Sequence, residues 1–256
     1  MYRHFKYLFV LLIVLGIAAT GCKNDKKKKS AASASASEFT EQDYFFPPEL
    51  YYYQARTNFM VDKFFPIGWS EEGNFAYITE PAVEGLDVYV FELTIINLIS
   101  GDTLWHWVTP PDEDLVREEV WKNNYNQFKT ILNKYHIVQD KTPKLLSPYF
   151  SYQGDDFSVE LQTDYRKQPG YGFEPVGHTK IIIRSPQRGV KIAYDKDAPA
   201  NSIIITQTIA GVMISPLDDK VAIVLQQERP GYEGPPNVIT FQIVGTSLAA
   251  GWNYEN

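Results

Sequence analysis

Four histidines, 31 carboxylates and a single cysteine are the groups with which this 256-residue chain could carry out acid–base, metal or nucleophilic chemistry. His4, His106, His136 and His178 are scattered. No two of them stand four residues apart, so no metal site is expected. There is no Gly-x-Ser-x-Gly elbow to activate a serine and no Gly-rich phosphate loop followed by lysine, and no cofactor is expected. Asp155-Asp156 and Asp218-Asp219 follow turn signals without the ladder of oxygen ligands of a calcium loop, and they read as turn formers. The carboxylates are numerous enough for two to meet as a hydrolase pair, but their spacing does not say which. One cysteine, Cys22, excludes an intramolecular disulfide, a Cys-based zinc site and a dithiol redox pair. Two similar loops remain, Pro169-Gly170-Tyr171-Gly172-Phe173-Glu174-Pro175 and Pro230-Gly231-Tyr232-Glu233-Gly234-Pro235-Pro236. A tyrosine flanked by a carboxylate on a Gly/Pro-stiffened loop suits stacking on a sugar or gripping a protein. Tyr171, Glu174, Tyr232 and Glu233 are therefore candidate interaction residues, against the plainer alternative that each tyrosine plugs the end of a sheet.

The cysteine's surroundings are more telling than its solitude. Arg3, His4 and Lys6 precede an apolar run from Tyr7 to Ile17, after which Ala18, Ala19, Thr20 and Gly21 reduce the side chains just before Cys22. This is the three-part plan of a signal peptide. The ending Ala19-Thr20-Gly21-Cys22 resembles the lipobox of bacterial lipoproteins, with Ala19 where that family usually has Leu. The resemblance implies cleavage between Gly21 and Cys22, a diacylglycerol on the Cys22 thiol, and often a further acyl chain such as palmitate on the new amino terminus. Two or more chains, at about 0.8 kcal/mol per buried CH₂, make a stable anchor where one is marginal. The expected location is the bacterial cell envelope, at the outer membrane or cell surface rather than the inner membrane. Lys23 to Asp43 (KNDKKKKSAASASASEFTEQD) has almost nothing to bury and reads as a tether, so the expected division is 1–21 leader, 22–45 anchor and tether, and 46–256 one domain.

Charge narrows the partners. Seven of the 24 basic residues and four of the 31 acidic ones precede Phe46, leaving a net −10 on the remainder. An acidic body without a basic stripe argues against nucleic acid, whose binding rests on charge neutralisation by Lys and Arg. The remaining partners are the membrane, through the lipid, and an envelope protein or glycan.

The elements that must position any site are mostly strands. Short β-branched and aromatic runs broken by Gly, Pro, Asn and Asp predict antiparallel strands near 64–69, 74–80, 88–98 and 103–108, then 157–163, 179–184, 190–194, 202–208, 212–215, 220–227 and 238–244. Between the two groups, Trp121, Tyr125, Phe128, Leu132 and Tyr135 recur at spacings of four and three, which predicts an amphipathic helix over about 112–137 covering one side of a sheet. Tyr44 to Tyr53 (YFFPPELYYY) predicts a strap laid over the core.

Two stretches share one grammar. Trp69-Ser70-Glu71-Glu72-Gly73-Asn74-Phe75-Ala76-Tyr77, followed by Glu84-Gly85, Val88, Phe91 and Leu93, parallels Ser215-Pro216-Leu217-Asp218-Asp219-Lys220-Val221-Ala222-Ile223, followed by Glu233-Gly234, Val238, Phe241 and Ile243. The three-residue step from Val to Phe predicts a bulge or twist there. The first stretch resembles the W-S-x-D-G-x-x-A turn of β-propeller blades in periplasmic TolB-like proteins. Its pairing with Gly231-Tyr232-Glu233-Gly234-Pro235 resembles bacterial predicted secreted proteins of unknown function, which implies export and a β-rich fold and no activity. Two units are too few for a full propeller. The expected fold is mainly β: antiparallel sheets with two blade-like units, sandwich or partial-propeller-like, and one long helix between them. The expected role is a non-enzymatic binding or interaction module held at a membrane, the alternative being a hydrolase of envelope polymers with paired carboxylates.

Overall fold

The computed structural model describes residues 44–50, 58–82, 89–110, 116–167, 172–232 and 234–253. Cys22, Gly21 and the rest of the leader and tether lie outside the described residues, as do Tyr171, Glu233 and residues 51–53 of the expected strap. The strands are β1 (Phe59–Val61), β2 (Lys63–Trp69), β3 (Asn74–Glu80), β4 (Glu92–Asn97), β5 (Thr103–Val108), β6 (Val138–Gln139), β7 (Tyr149–Tyr152), β8 (Asp155–Tyr165), β9 (Val176–Ser185), β10 (Gly189–Asp197), β11 (Thr206–Ile214), β12 (Lys220–Arg229) and β13 (Asn237–Ser247). The helix α1 (Arg117–Lys134) falls between β5 and β6. The fold is mainly β, as its residue patterns suggest. Among the described residues, no helix is long and apolar enough to cross a membrane.

The strands form three sheets, ordered β5-β4-β3-β2-β6, β1-β13-β12-β11 and β10-β9-β8-β7. All pairings are antiparallel except β1 with β13. The second of these sheets is central, and the alternation of side chains along β12 shows why. Val221, Ile223 and Leu225 pack with Phe157, Ile181 and Ile183 of the β7–β10 sheet, while Ala222 and Val224 pack with Phe64, Phe75 and Leu98 of the β2–β6 sheet. A strand buried on both faces must be apolar at every position, and Val221 to Leu225 is an unbroken apolar run that is wholly buried. The outer face of the β2–β6 sheet is covered by α1: Val120, Trp121, Tyr125, Phe128 and Leu132 pack on Phe65, Ile67, Ala76, Ile78, Leu93 and Ile95. The described residues thus form four layers, helix on sheet on sheet on sheet.

The helix is shorter than expected at both ends. Glu119 closes its first turn by accepting a hydrogen bond from the Val116 N–H at 3.4 Å, and His136 ends it with a positive φ of 52°. Tyr135, predicted on the packing face, packs half-buried against this core and donates its hydroxyl to the Leu104 carbonyl at 2.9 Å. The strap is present in residues 44–50: Tyr44 donates to the Ile137 carbonyl, Phe46 meets Phe65 and Trp121 edge-on at 5.3 and 5.5 Å, and Leu50 N–H donates to the Phe64 carbonyl at 2.8 Å.

Three differences from the expected strands have physical causes. In place of the expected strands 202–208 and 212–215 there is one strand, β11, from Thr206 to Ile214, whose register shifts between Ile209 and Gly211. A glycine is required at the shift, because a Cβ on Gly211 would stand 2.5 Å from the Leu146 carbonyl oxygen. No bulge accompanies Val238 and Phe241: β12 and β13 pair without interruption from Lys220 with Ser247 to Arg229 with Val238. Their three-residue step needs none, since both faces of this strand are covered by apolar neighbours. Finally, β1, β6 and β7 were invisible as strands because two to four residues carry too little periodicity.

The two repeated stretches form equivalent hairpins, β2–β3 and β11–β12, on adjacent sheets, and Lys220 Nζ bridges them by donating to the Glu71 carbonyl at 3.2 Å. The β9–β10 turn has the same device: Ser185 Oγ accepts the Gln187 N–H as Ser215 Oγ accepts the Leu217 N–H, each at 3.2 Å. All these tight turns lie at one end of the stack. The opposite end carries the longer connections β3–β4, β8–β9 and β12–β13.

Candidate functional site

Layering leaves one broad sheet face uncovered among the described residues, the outer face of the β7–β10 sheet. Its strands show it: after Pro148, Tyr149 and Ser151 are exposed while Phe150 is buried, and β8 alternates in the same way through Phe157 and Val159. Cross-strand register aligns Tyr149, Ser158, Arg184 and Val190 in one row across this face. Around that row lies a cleft of about 690 Å³, edged by Ser151 and Asp156 and by Ser185, Pro186 and Gly189 of the β9–β10 turn.

Tyr149 is 75% exposed beside the cleft. Its backbone is fixed from the edge, because Ser147 Oγ accepts the Tyr149 N–H at 3.2 Å and donates to the Tyr149 carbonyl. On the inner side of the same strands Phe150 stacks on Phe157 at 5.3 Å, and Phe157 meets Trp252 at 5.8 Å. Ser151 Oγ donates to the Asp156 carboxylate at 2.5 Å, and Arg184 Nε pairs with Glu160 at 3.1 Å. Next to the cleft, Arg188 pairs with Asp155 at 2.5 Å and also donates to the Leu248 carbonyl at 2.7 Å. Arg184 is thus matched by a carboxylate, whereas Asp156 is held by a hydroxyl and not by a cation.

Lys191, the next residue along β10 from Val190, holds the C-terminal segment against the same sheet. Its ammonium donates to the Ser247 and Ala250 carbonyls at 2.6 and 2.5 Å, and burial without a counter-charge pushes its pKa down.

The other candidates sit elsewhere. The bases of the loops carrying Glu174 and Tyr232 are joined through residues 204 and 205: Val176 N–H donates to the Ile204 carbonyl at 2.8 Å, and Ile205 N–H to the Glu228 carbonyl at 2.7 Å. Both loops therefore rise from the long-loop end. Glu174 is exposed, and Tyr232 is 94% exposed, so Tyr232 does not plug a sheet end.

That end also concentrates buried charge. Glu80 accepts from Tyr89 at 2.7 Å and from Arg117 Nη2 at 2.8 Å, with Lys63 at 3.3 Å. Burial alone would raise its pKa, but these partners outweigh burial and hold it below the usual value. Asp62 is buried where β1 meets β13 and accepts the Ala82 N–H at 2.8 Å. Desolvation lifts its pKa to about 6, against the lowering effects of that hydrogen bond and of Arg229, with Glu92 adding a smaller repulsion. Asp62 is a clamp on the start of the β3–β4 connection, not a group facing open solvent.

The histidines prove more connected than their spacing suggested. His178 Nδ1 meets Asp197 at 2.8 Å and its Nε2 meets Asp195 at 2.9 Å across the β9–β10 pair. Hydrogen bonding to Asp197 leads the effects that raise the His178 pKa, against the lowering effect of desolvation, because both ring nitrogens donate only in the imidazolium. His136 pairs with Glu72 at 2.7 Å, and His106 Nδ1 with the Thr94 hydroxyl at 2.9 Å. Among the described residues, no group of three or more His, Cys, Asp or Glu side chains is arranged to hold a metal ion.

Sequence reasoning missed Tyr149, Ser158 and Arg184 as site residues, and it placed Asp156 only in a turn. The available signal was the out-in-out pattern of Tyr149, Phe150 and Ser151 after Pro148. No protein-family model, curated protein or solved structure matches the chain.

Proposed function

We propose that the chain is an exported bacterial lipoprotein, anchored through Cys22, whose body is a non-enzymatic binding module using the open β7–β10 face. The observation that carries the binding role is the cleft beside Tyr149 on a sheet face that, among the described residues, no other layer covers. Concave sites that combine apolar surface with a few convergent polar groups are where ligands bind. Asp156 is the one carboxylate among the residues lining it. Hydrolysis by the common two-carboxylate route needs a second, which favours holding a ligand over cleaving it. The leader, the small residues before Cys22 and the polar tether support delivery of this module to an envelope surface.

Two measurements test the two halves. The mass of the native protein should show residues 1–21 removed and lipid on Cys22, and an unmodified thiol or an intact leader would overturn the anchor. The mature protein, kept in detergent, should co-sediment with detergent-extracted cell envelopes, and Tyr149→Ala should lower the bound fraction severalfold. Absence of co-sedimentation, or equal sedimentation of the variant, would overturn binding through this face.

A further inference from the structure

Two rungs of the β7–β8 ladder place four side chains on the open face of the sheet. Tyr149 stands opposite Ser158 and Ser151 opposite Asp156, while Phe150 and Phe157 on the rung between them point into the core. All four line the cleft. Directly opposed residues have Cβ atoms about 5 Å apart and diagonal ones about 7 Å, so the Tyr149 ring, the Asp156 carboxylate and the Ser158 hydroxyl are close enough to surround one small group.

The charge of that group follows from Asp156. Ser151 Oγ donates to its Oδ1 at 2.5 Å, which orients the carboxylate and leaves Oδ2 able to accept from a ligand. Among the described residues no cation pairs with Asp156, because the bases near it are engaged elsewhere: Arg188 with Asp155 at 2.5 Å, and Arg184, beyond Ser158 in its row, with Glu160 at 3.1 Å. A cation is also what the rest of the body attracts, since residues 46–256 carry a net −10. The exposed face of an aromatic ring beside a carboxylate completes a cation's surroundings, and Tyr149 is three-quarters exposed. The shape of the cation follows from the donors it would bring. A guanidinium grips a carboxylate through both oxygens at once, and Ser151 already holds one of them. A primary ammonium is a compact charge with three donors, which suit Asp156 Oδ2, the Ser158 hydroxyl and water on the open side.

Resting on the binding role proposed above, we infer that the cleft holds a primary ammonium at the end of an alkyl chain, as on a lysine-type side chain of a cell-envelope peptide. The ammonium lies between Asp156 and Ser158, and its alkyl stem runs along the Tyr149 ring. Ser151 is a positioning residue that aims the carboxylate.

The test is co-sedimentation of the mature protein, in detergent, with detergent-extracted envelopes before and after their amines are converted to neutral amides with acetic anhydride. Acetylation should lower binding about threefold or more, as should Asp156→Asn, which keeps the Ser151 contact and removes the charge. Tyr149→Phe should stay within about twofold because the ring is kept. Nα-acetyl-lysine methylamide should compete, its Nε-acetylated form should not, and its Nε-trimethylated form and the arginine analogue should compete less well. Circular dichroism melting of the variants controls for folding. Undiminished binding to acetylated envelopes, or by Asp156→Asn, overturns the ammonium assignment; if that binding still falls in Tyr149→Ala, the binding role stands with another ligand. Competition by the trimethylated form or the arginine analogue equal to that of the lysine compound overturns it as well. Absence of co-sedimentation with untreated envelopes overturns the binding role itself, and the ammonium site with it.

Discussion

The two outer sheets face the same central sheet, yet among the described residues one is sealed on its far side and the other is bare. The sealed sheet, β2–β6, lies under α1, and β3 is accordingly buried at six of its seven positions. In the bare sheet, β8 buries Phe157 and Val159 inward and sends Asp156, Ser158 and Glu160 outward. A cover permits continuous apolar sequence, whereas water on one side enforces alternation. Alternation therefore marks the surface available for recognition. The interfaces differ too. On the sealed side, the long-loop end holds the charged groups Asp62, Glu80 and Arg117. On the bare side, an uncharged ladder fills the equivalent gap: Gln207 donates to Thr179 at 2.6 Å and to Thr163 at 3.2 Å, and Gln227 donates to Gln242 at 2.7 Å.

The largest expected effect is on the sealed side. Phe128 is wholly buried and touches the Phe91, Trp107 and Trp121 rings at 6.0, 5.0 and 5.5 Å. Phe128→Ala should cost about 3–5 kcal/mol in denaturant unfolding, while Ile192→Ala on the bare sheet, half exposed, should cost under about 1 kcal/mol. Equal losses would erase the distinction between the sheets.

The charged interface should make stability depend on pH. Asp62 has a folded pKa of about 6, above its ordinary 3.8, so its ionisation opposes folding. Its contribution is fully favourable below pH 4 and is lost as pH rises through 6, amounting to roughly 3 kcal/mol at one unit per 1.36 kcal/mol. Asp62→Asn should match the native protein near pH 4 and exceed it by up to roughly that amount at pH 7.5, as read by urea unfolding at both values. Glu80 works with the opposite sign: its depressed pKa gives stability that is present above the ordinary carboxylate range and lost on acidification.

Close approach of the sealed and central sheets depends on Gly245, whose Cβ would fall 2.2 Å from the Leu98 carbonyl oxygen. Gly245→Ala should destabilise by about 1–3 kcal/mol, seen as a lower melting temperature. The smallest effect belongs to the bare face, where Tyr149→Ala should change stability by no more than about 0.5 kcal/mol while removing ligand binding. His178 sharpens the same contrast by NMR titration, since Asp197→Asn should lower its pKa toward the ordinary value.

Much of this layout was legible in the residues. The apolar face of α1 follows directly from Trp121, Tyr125, Phe128 and Leu132, and β3 and β5 fall where their residues place them. The repeated hairpins were also recognisable, because a turn and the strand after it are local. The third sheet escaped that comparison, since its β7–β8 turn through Gln153-Gly154 uses positive φ values and different residues. The site was less legible for a related reason. Tyr171 and Tyr232 stood out by their Gly/Pro setting, whereas the exposure of Tyr149 follows from its place on the outer face of the β7–β10 sheet, a property of the assembled stack. The Asp62 clamp likewise depends on a parallel pairing of β1 with β13 across more than 170 residues of sequence.

Amide hydrogen exchange of the mature protein, with and without detergent-extracted envelopes, distinguishes the bare face from the long-loop end most directly. The account predicts added protection in β7, β8 and the β9–β10 turn, with little change in the connections around Glu174 and Tyr232. Protection confined to those connections, or spread over α1, would contradict it.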